Sequence, residues 1–345
     1  MNNSWKKKMS GLTVTMALAL IFSACSSSGS GGSTTEGSAS ASEEGDKEPV
    51  KITQVTNWFA QPEHGGQYTA LAQGYYEEAG IDMTIEPGGP QVSSMQIVAS
   101  GKAQFGMGQA DEVLTARDNG IPVVAIAAIF QKSPQAMLFH ADADIQDFED
   151  LDGRNVYIAP GSGYWDFIKK KYDLTEVKDQ TYTGQFVNFI EDKDAVTQSY
   201  VTSEPYTLEQ QGIETRYLLT YDAGFQPYSN VLFTTEEFLE KNPEVVKSFL
   251  AASIKGWNYY KDHYEEMNEF LKERNPDLTL EGMKYGAEQE FELIFTDETE
   301  SNGLLSMTEE RWTKLQEDMY SLGLLKSKED IGNVFTTEYL PGPSE

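Results

Sequence analysis

The sequence predicts an α/β protein of two lobes with a helical C-terminal part. Three observations predict it. Strand-like and helical segments alternate from residue 51 to about 130. A second alternating series runs from residue 155 to about 211. From Thr235 onward the pattern is helical nearly to the end.

In the first series, Lys51–Thr56 alternates apolar and polar residues, as a half-buried strand does. The loop NWFAQPEHGGQY follows. Tyr68, Leu71, Ala72, Tyr75, Tyr76 and Ala79 recur at helical spacing, and Gly80 ends that helix. Ile81, Met83 and Ile85 alternate as a strand. Gln91–Ser100 reads as a helix, Ala103–Met107 as a short strand and Asp111–Asn119 as a helix stopped by Gly120. After Pro122 the run VVAIAAIF is continuously apolar, as expected of a strand covered on both faces. The sheet is therefore expected to be largely parallel.

The second series holds a strand at Asn155–Ala159 and a Gly-rich turn, PGSG, running into the helix YWDFIKKKY. A further strand, Gln198–Thr202, is followed by the helical segment SEPYTLEQQ. In the C-terminal part, Pro243–Tyr260 and Thr308–Leu322 are the clearest helices. The apolar strands Ala136–His140 and Asn230–Thr234 are the expected crossovers between lobes. This gives residues 50–138 plus 232–345 as lobe 1 and 139–231 as lobe 2. Open α/β sheets bind ligands beyond the carboxyl ends of their strands, and domain interfaces favour pockets.

The N-terminus carries an address. Lys6, Lys7 and Lys8 precede an apolar run from about Leu12 to Phe22, which ends in Phe22-Ser23-Ala24-Cys25. A basic start, a short apolar core and small residues before a cut are the parts of a secretory signal, here residues 1–24. The run is shorter than the ~20 apolar residues of a membrane span. Cys25 is the only cysteine, so no internal disulfide is possible. Its place at the end of the signal resembles a bacterial lipobox, with Phe22 where Leu is usual. This implies a diacylated Cys25 as the mature N-terminus and a protein held at the outer face of the cytoplasmic membrane. Residues 25–49 are rich in Ser, Gly, Thr and acid, and read as a flexible tether.

Composition excludes some partners. The 345 residues hold 26 Lys+Arg against 55 Asp+Glu, a formal net charge of −29. Nucleic-acid binding needs basic patches, and adsorption to anionic lipid needs basic segments. The acidic balance argues against both, so the acyl chains must do the holding. The acidity itself keeps a secreted surface soluble and identifies no ligand. Nothing in the sequence calls for oligomerisation, and a monomer is expected.

Four stretches carry a resemblance: NWFAQPEHGGQYTALAQGYYEEAGID, PGGPQVSSMQIVASGKAQFGMGQADEVLTARDNGIPVVAIAAIFQ, FEDLDGRNVYIAPGSG and AVTQSYVTSEPY. In this order the chain resembles the solute-binding proteins that include sulfonate- and nitrate-type binders and the binders of thiamine pyrimidine precursors. The resemblance covers residues 51 to about 206. It implies the type II periplasmic-binding-protein fold. It also implies a ligand gripped between lobes and handed to an ABC permease powered by a cytoplasmic ATPase. GIPVVAIAAIFQ is nearer the pyrimidine-precursor binders. Flavin-like and other small organic ligands stay open, as does a sulfonate- or nitrate-type anion.

The candidate ligand-binding residues lie at expected strand ends. Trp58 and Phe59 follow the first strand, where an indole face can stack on a flat ring. His64 and Tyr68 flank Gly65-Gly66 at an expected helix start, which offers free backbone N–H groups. Asp111 and Glu112 follow Gly106-Met107-Gly108 and are placed to accept from ring amino groups. Tyr164 and Trp165 follow the turn Gly161-Ser162-Gly163. Glu204 and Tyr206 lie in a segment resembling a Trp-Glu-Pro stretch of relatives, with Ser203 in place of the tryptophan. Tyr228 precedes the second crossover. These loops hold aromatic and acidic residues and no Arg or Lys. A small, flat, largely uncharged heterocycle is therefore expected over a sulfonate or nitrate, which a basic residue would balance.

No catalytic residue, metal or cofactor is expected. Cys25 is spoken for by lipid, and His64, His140 and His263 are too scattered for a metal motif. No G-x-S-x-G elbow is present, and the Gly-rich turn lacks the Gly-Lys-Ser/Thr end of a P-loop. Some relatives of this fold make a thiamine pyrimidine from their own histidine, with iron and a cysteine-rich motif. That enzyme is the alternative from a different class.

Overall fold

The computed structural model describes residues 48–342. The expected signal segment, Cys25 and nearly all of the expected tether lie outside the described residues. Among the described residues no helix is long and apolar enough to cross a membrane.

Ten strands form two five-stranded sheets. The first contains β1 (Val50–Val55), β2 (Ile81–Glu86), β3 (Phe105–Gly108), β4 (Val123–Phe130) and β10 (Ser229–Thr235), in the order β2-β1-β3-β10-β4. The second contains β5 (Gln135–His140), β6 (Asn155–Ile158), β7 (Lys178–Thr181), β8 (Val196–Tyr200) and β9 (Thr215–Leu219), in the order β7-β6-β8-β5-β9. Within each sheet four strands share a direction and one opposes them. The opposing strand is β10 in the first sheet and β5 in the second. Each reversed strand is the one that has just arrived from the other sheet. The architecture is α/β and two-lobed.

The strands expected as crossovers each lie wholly in one sheet. Residues 135–140 belong to the second sheet and 229–235 to the first, so the chain passes between sheets in the connections 131–134 and 220–228. Strands β7 and β9 have no counterpart in the sequence reading. The exposed KDQT of β7 lacks any apolar alternation, and periodicity cannot detect such an edge strand. The helix expected across residues 68–79 is two helices, Gly65–Ala72 and Tyr75–Glu78. Gly74 parts them with φ +74°, a conformation that favours glycine.

All eight residues of β4 are buried, which matches their unbroken apolar run. On one face of the first sheet Phe105 stacks on Phe249 with ring centroids 3.9 Å apart. Phe249 lies on the long helix Pro243–Lys272, whose Trp257 and Tyr260 are fully buried against Gly66 and Gly65. Emptying such a site, as in Phe249→Ala, costs about 3–5 kcal/mol. This packing also seats the helix start at residues 62–66, which faces the cleft.

One C-terminal side chain holds both connections. Arg311 Nη2 donates to the carbonyl of Gln131 at 2.6 Å and to that of Gln226 at 3.4 Å. Its guanidinium lies 3.7 Å from the ring centroid of Tyr228 and pairs with Glu298 at 3.2 Å.

Candidate functional site

A cavity of about 590 Å³ opens between the two sheets. Four strand ends supply much of its wall: Asn57 and Trp58 beyond β1, Gln109 and Asp111 beyond β3, Pro160–Gly163 beyond β6, and Ser203 and Glu204 beyond β8. This is the placement expected of open α/β sheets. The volume lies within the range usual for small-molecule pockets.

Each lining residue is held from behind. Trp58 is half-buried, and its carbonyl accepts from the Thr56 hydroxyl at 2.6 Å and from Gly88 N–H at 3.0 Å. A polar chain fixes the floor. His64 Nε2 lies 2.9 Å from Asn57 Oδ1, the Asn57 amide donates to Asn230 Oδ1 at 2.9 Å, and Asn230 Nδ2 donates to the Glu63 carbonyl at 3.1 Å. Asn57 thus presents an oxygen to His64, so His64 Nε2 carries the proton. Burial holds the imidazole neutral, down to about 3. Asn230 has φ +47°, a left-handed conformation that asparagine tolerates better than most residues.

Four carboxylates line the cavity: Glu63, Asp111, Glu112 and Glu204. Glu63 is 1 % exposed, and burial pushes its carboxyl up to about 7 against the pull of the Thr202 hydroxyl, which donates to Oε1. Its Oε2 is buried without a hydrogen-bond partner. Asp111 is 4 % exposed, and burial followed by the charge of Glu112 raises it to about 7. Glu112 caps its own helix, accepting from Gln109 N–H at 2.8 Å, and keeps exposed surface. Glu204 accepts from Tyr200 N–H and the Ser203 hydroxyl, both at 2.7 Å. Burial still raises its carboxyl. Among the described residues lining the cavity there is no Lys or Arg.

The two lobes meet across this cavity. Gln109 donates to the Tyr200 hydroxyl at 2.6 Å, and Thr202 donates to Glu63. A Cβ on Gly163 would lie 2.4 Å from Asp111 Oδ2, so the start of the helix Gly163–Lys171 fits against Asp111 only because residue 163 has no side chain. The positive end of that helix faces the carboxylate.

Of the residues singled out from sequence, Trp58, His64, Asp111, Glu112, Tyr164 and Glu204 come together on the cavity wall. Five do not. Phe59 is 48 % exposed and packs edge-on against Trp58 at 5.6 Å. Tyr68 is 2 % exposed in the core of the first lobe. Trp165 turns into the second lobe, where its indole N–H donates to Asp179 at 2.7 Å. Tyr206 stacks on Tyr285, centroids 5.3 Å apart. Tyr228 lies under Arg311, and its hydroxyl accepts from Thr308 N–H at 2.9 Å. For Trp165 and Tyr206, one and two positions past lining residues, the cause is helical periodicity: one step along a helix turns a side chain by about 100°. The reading missed Asn57, Glu63, Gln109, Tyr182, Gln198, Tyr200 and Asn230. Glu63 beside His64 and Gln109 beside Asp111 were within reach of the strand-end rule. Tyr182 was not, because it follows β7, a strand without apolar alternation, and Asn230 was not, since only the crossing of the chain brings it here.

Fold and cleft define a protein of the two-lobed periplasmic-binding-protein class. Residues 61–267, more than half of the chain, match the family described as NMT1/THI5 like, and the chain belongs to that family. The riboflavin-binding protein RibY of Chloroflexus aurantiacus is 25 % identical over 98 % of this chain and 99 % of that protein. The formylaminopyrimidine-binding protein of Halalkalibacterium halodurans is 26 % identical over 64 % of this chain and 70 % of its own length. A 4-amino-5-hydroxymethyl-2-methylpyrimidine phosphate synthase of Saccharomyces cerevisiae is 29 % identical over 64 % of this chain and 73 % of its own. Among solved structures, the periplasmic aliphatic sulphonate binding protein SsuA of Escherichia coli has a TM-score of 0.64. It is 14 % identical and covers 86 % of this chain and 95 % of its own, a likeness of fold alone.

Proposed function

We propose that the chain is the extracytoplasmic solute-binding component of an ABC importer. It captures a small flat heterocycle between its lobes and delivers it to a permease. A thiamine pyrimidine precursor is the first choice and a flavin the second. The carrying observation is the cavity itself, which is bridged from lobe to lobe and lined by Trp58, Tyr164 and carboxylates without a basic residue. Aromatic faces stack on a flat ring, and carboxylates accept from its amino groups. Trp58, His64, Asp111, Glu112, Tyr164 and Glu204 are assigned as ligand contacts.

The synthase among the relatives supports a second reading, an enzyme that builds a pyrimidine. Binding without chemistry is favoured because the match to RibY spans 98 % of this chain and 99 % of that protein, against 84 % and 92 % for a synthase of Legionella pneumophila and 64 % and 73 % for that of Saccharomyces cerevisiae. The signal-like residues 1–24 and Cys25 support export and lipid anchoring at the outer face of the cytoplasmic membrane, with the mature protein acting as a monomer. The test is mass spectrometry of material released by denaturing the protein purified from its own membranes. A pyrimidine or flavin in stoichiometric amount supports the assignment. A sulfonate or nitrate overturns the ligand class.

A further inference from the structure

We infer that the cavity takes its heterocycle as a cation and excludes phosphorylated or sulfonated forms of it; this rests on the heterocycle-import reading above. The wall can develop charge of one sign only. Glu63, Asp111, Glu112 and Glu204 face the space, and among the described lining residues no Lys or Arg answers them. Outside the cavity two partly buried arginines answer carboxylates: Arg117 pairs with Glu236 at 2.8 Å and Arg311 with Glu298 at 3.2 Å.

The one lining group able to become a cation is blocked from doing so. His64 is 1 % exposed, donates a hydrogen bond from Nε2–H to Asn57 Oδ1, and has Nδ1 buried without a partner. Glu63 itself leaves Oε2 unpartnered at the cavity. An anionic substituent brought here meets carboxyls and no Lys or Arg to balance it at reduced dielectric. A ring nitrogen bearing a positive charge meets acceptors instead, in charge-assisted hydrogen bonds. The half-buried Trp58 and Tyr164 add to the preference, because an aromatic face attracts a cation as well as stacking on a ring. The carboxyls therefore act as a filter on ligand charge: raised by burial, they ionise beside a cationic ring and gain nothing beside an anion, and the amino and ring nitrogens of a protonated aminopyrimidine fit them.

The experiment is calorimetry on wild type, Asp111→Asn and Glu204→Gln with six probes: 4-amino-5-hydroxymethyl-2-methylpyrimidine, its phosphate ester, thiamine, riboflavin, taurine and nitrate. Melting temperatures are recorded in parallel to show that the variants fold. The free aminopyrimidine or thiamine should bind about 100-fold or more tightly than the phosphate ester, and each variant should narrow that ratio about tenfold. A phosphate ester that binds as well as the free ring overturns the inference, as does a ratio unchanged in both folded variants. Riboflavin binding alone, equal in wild type and variants, overturns the cation filter and leaves heterocycle import standing. Taurine or nitrate binding alone overturns both.

Discussion

Gln109 reaches across the cleft and donates a hydrogen bond to the hydroxyl of Tyr200, with the two atoms 2.6 Å apart. Gln109 directly follows β3 in one sheet and Tyr200 ends β8 in the other, so this bond joins the two halves of the candidate site. Removing it in Tyr200→Phe leaves the ring in place. Ligand binding should weaken by about 2- to 12-fold, the worth of one neutral hydrogen bond. Calorimetry measures the loss, and X-ray scattering should show a larger radius of gyration for the unliganded variant.

Trp58→Ala removes an aromatic face from the cavity wall. Affinity for the true ligand should fall roughly 5- to 150-fold, corresponding to ~1–3 kcal/mol of stacking. Phe59→Ala, at a neighbouring exposed ring outside the lining, should change affinity little. Equal losses in both variants would mean that Trp58 acts only through packing of the loop.

The buried carboxyls set a pH dependence of stability. Glu63 and Asp111 are raised by burial to about 7 from ordinary values of 4.5 and 3.8. Each therefore contributes stability that is fully present below its unfolded value and is lost as pH rises through about 7. His64, lowered by burial from 6.5 to about 3, works the other way: its contribution is present above 6.5 and is lost as pH falls toward 3. Two carboxyls outweigh one imidazole between pH 8 and 5. The melting temperature of the unliganded protein should rise as pH drops from 8 to about 5 and fall again below about 4. Glu63→Gln should flatten the rise. A melting temperature that increases steadily from pH 5 to 8 would contradict this balance.

Arg311 is expected to act on the motion of the lobes rather than on the ligand. It touches both connections through Gln131 and Gln226 and lies over Tyr228. Arg311→Ala strips two carbonyls and Glu298 of their donor, and unfolding should be easier by about 2–4 kcal/mol in a denaturant titration. Arg311→Lys should recover only part of that, because an ammonium lacks the planar fork.

Cys25→Ala tests the anchor. Cell fractionation should move the protein from the membrane pellet to the soluble extracytoplasmic fraction, since no other acylation site is expected. A variant that stays as firmly in the pellet as wild type would sink the lipid assignment.

Much of the architecture was legible because burial writes itself into periodicity. The unbroken VVAIAAIF announced a strand covered on both faces, and β4 is buried along its whole length. The strand-end rule found Trp58, Asp111, Tyr164 and Glu204 because a parallel strand followed by a helix fixes where its carboxyl end opens. It failed further along each helix: Trp165 and Tyr206 sit one and two positions past residues that line the cavity, with Trp165 turned into its own lobe and Tyr206 onto Tyr285 of the C-terminal part.

By itself the sequence determined the α/β alternation, the two-sheet organisation and the mixture of aromatic and acidic residues offered at the strand ends, because these are local properties of pattern and composition. Only the tertiary structure decided that Asn230, far along the chain, reaches Asn57 and Glu63, and that Gly163 meets Asp111 across the cleft. It alone decided that Glu63 faces the cavity with an unpartnered oxygen. Such relationships join residues more than 50 and up to 173 positions apart. They depend on how two separately folded sheets are set against each other by connections 131–134 and 220–228, which no local pattern encodes.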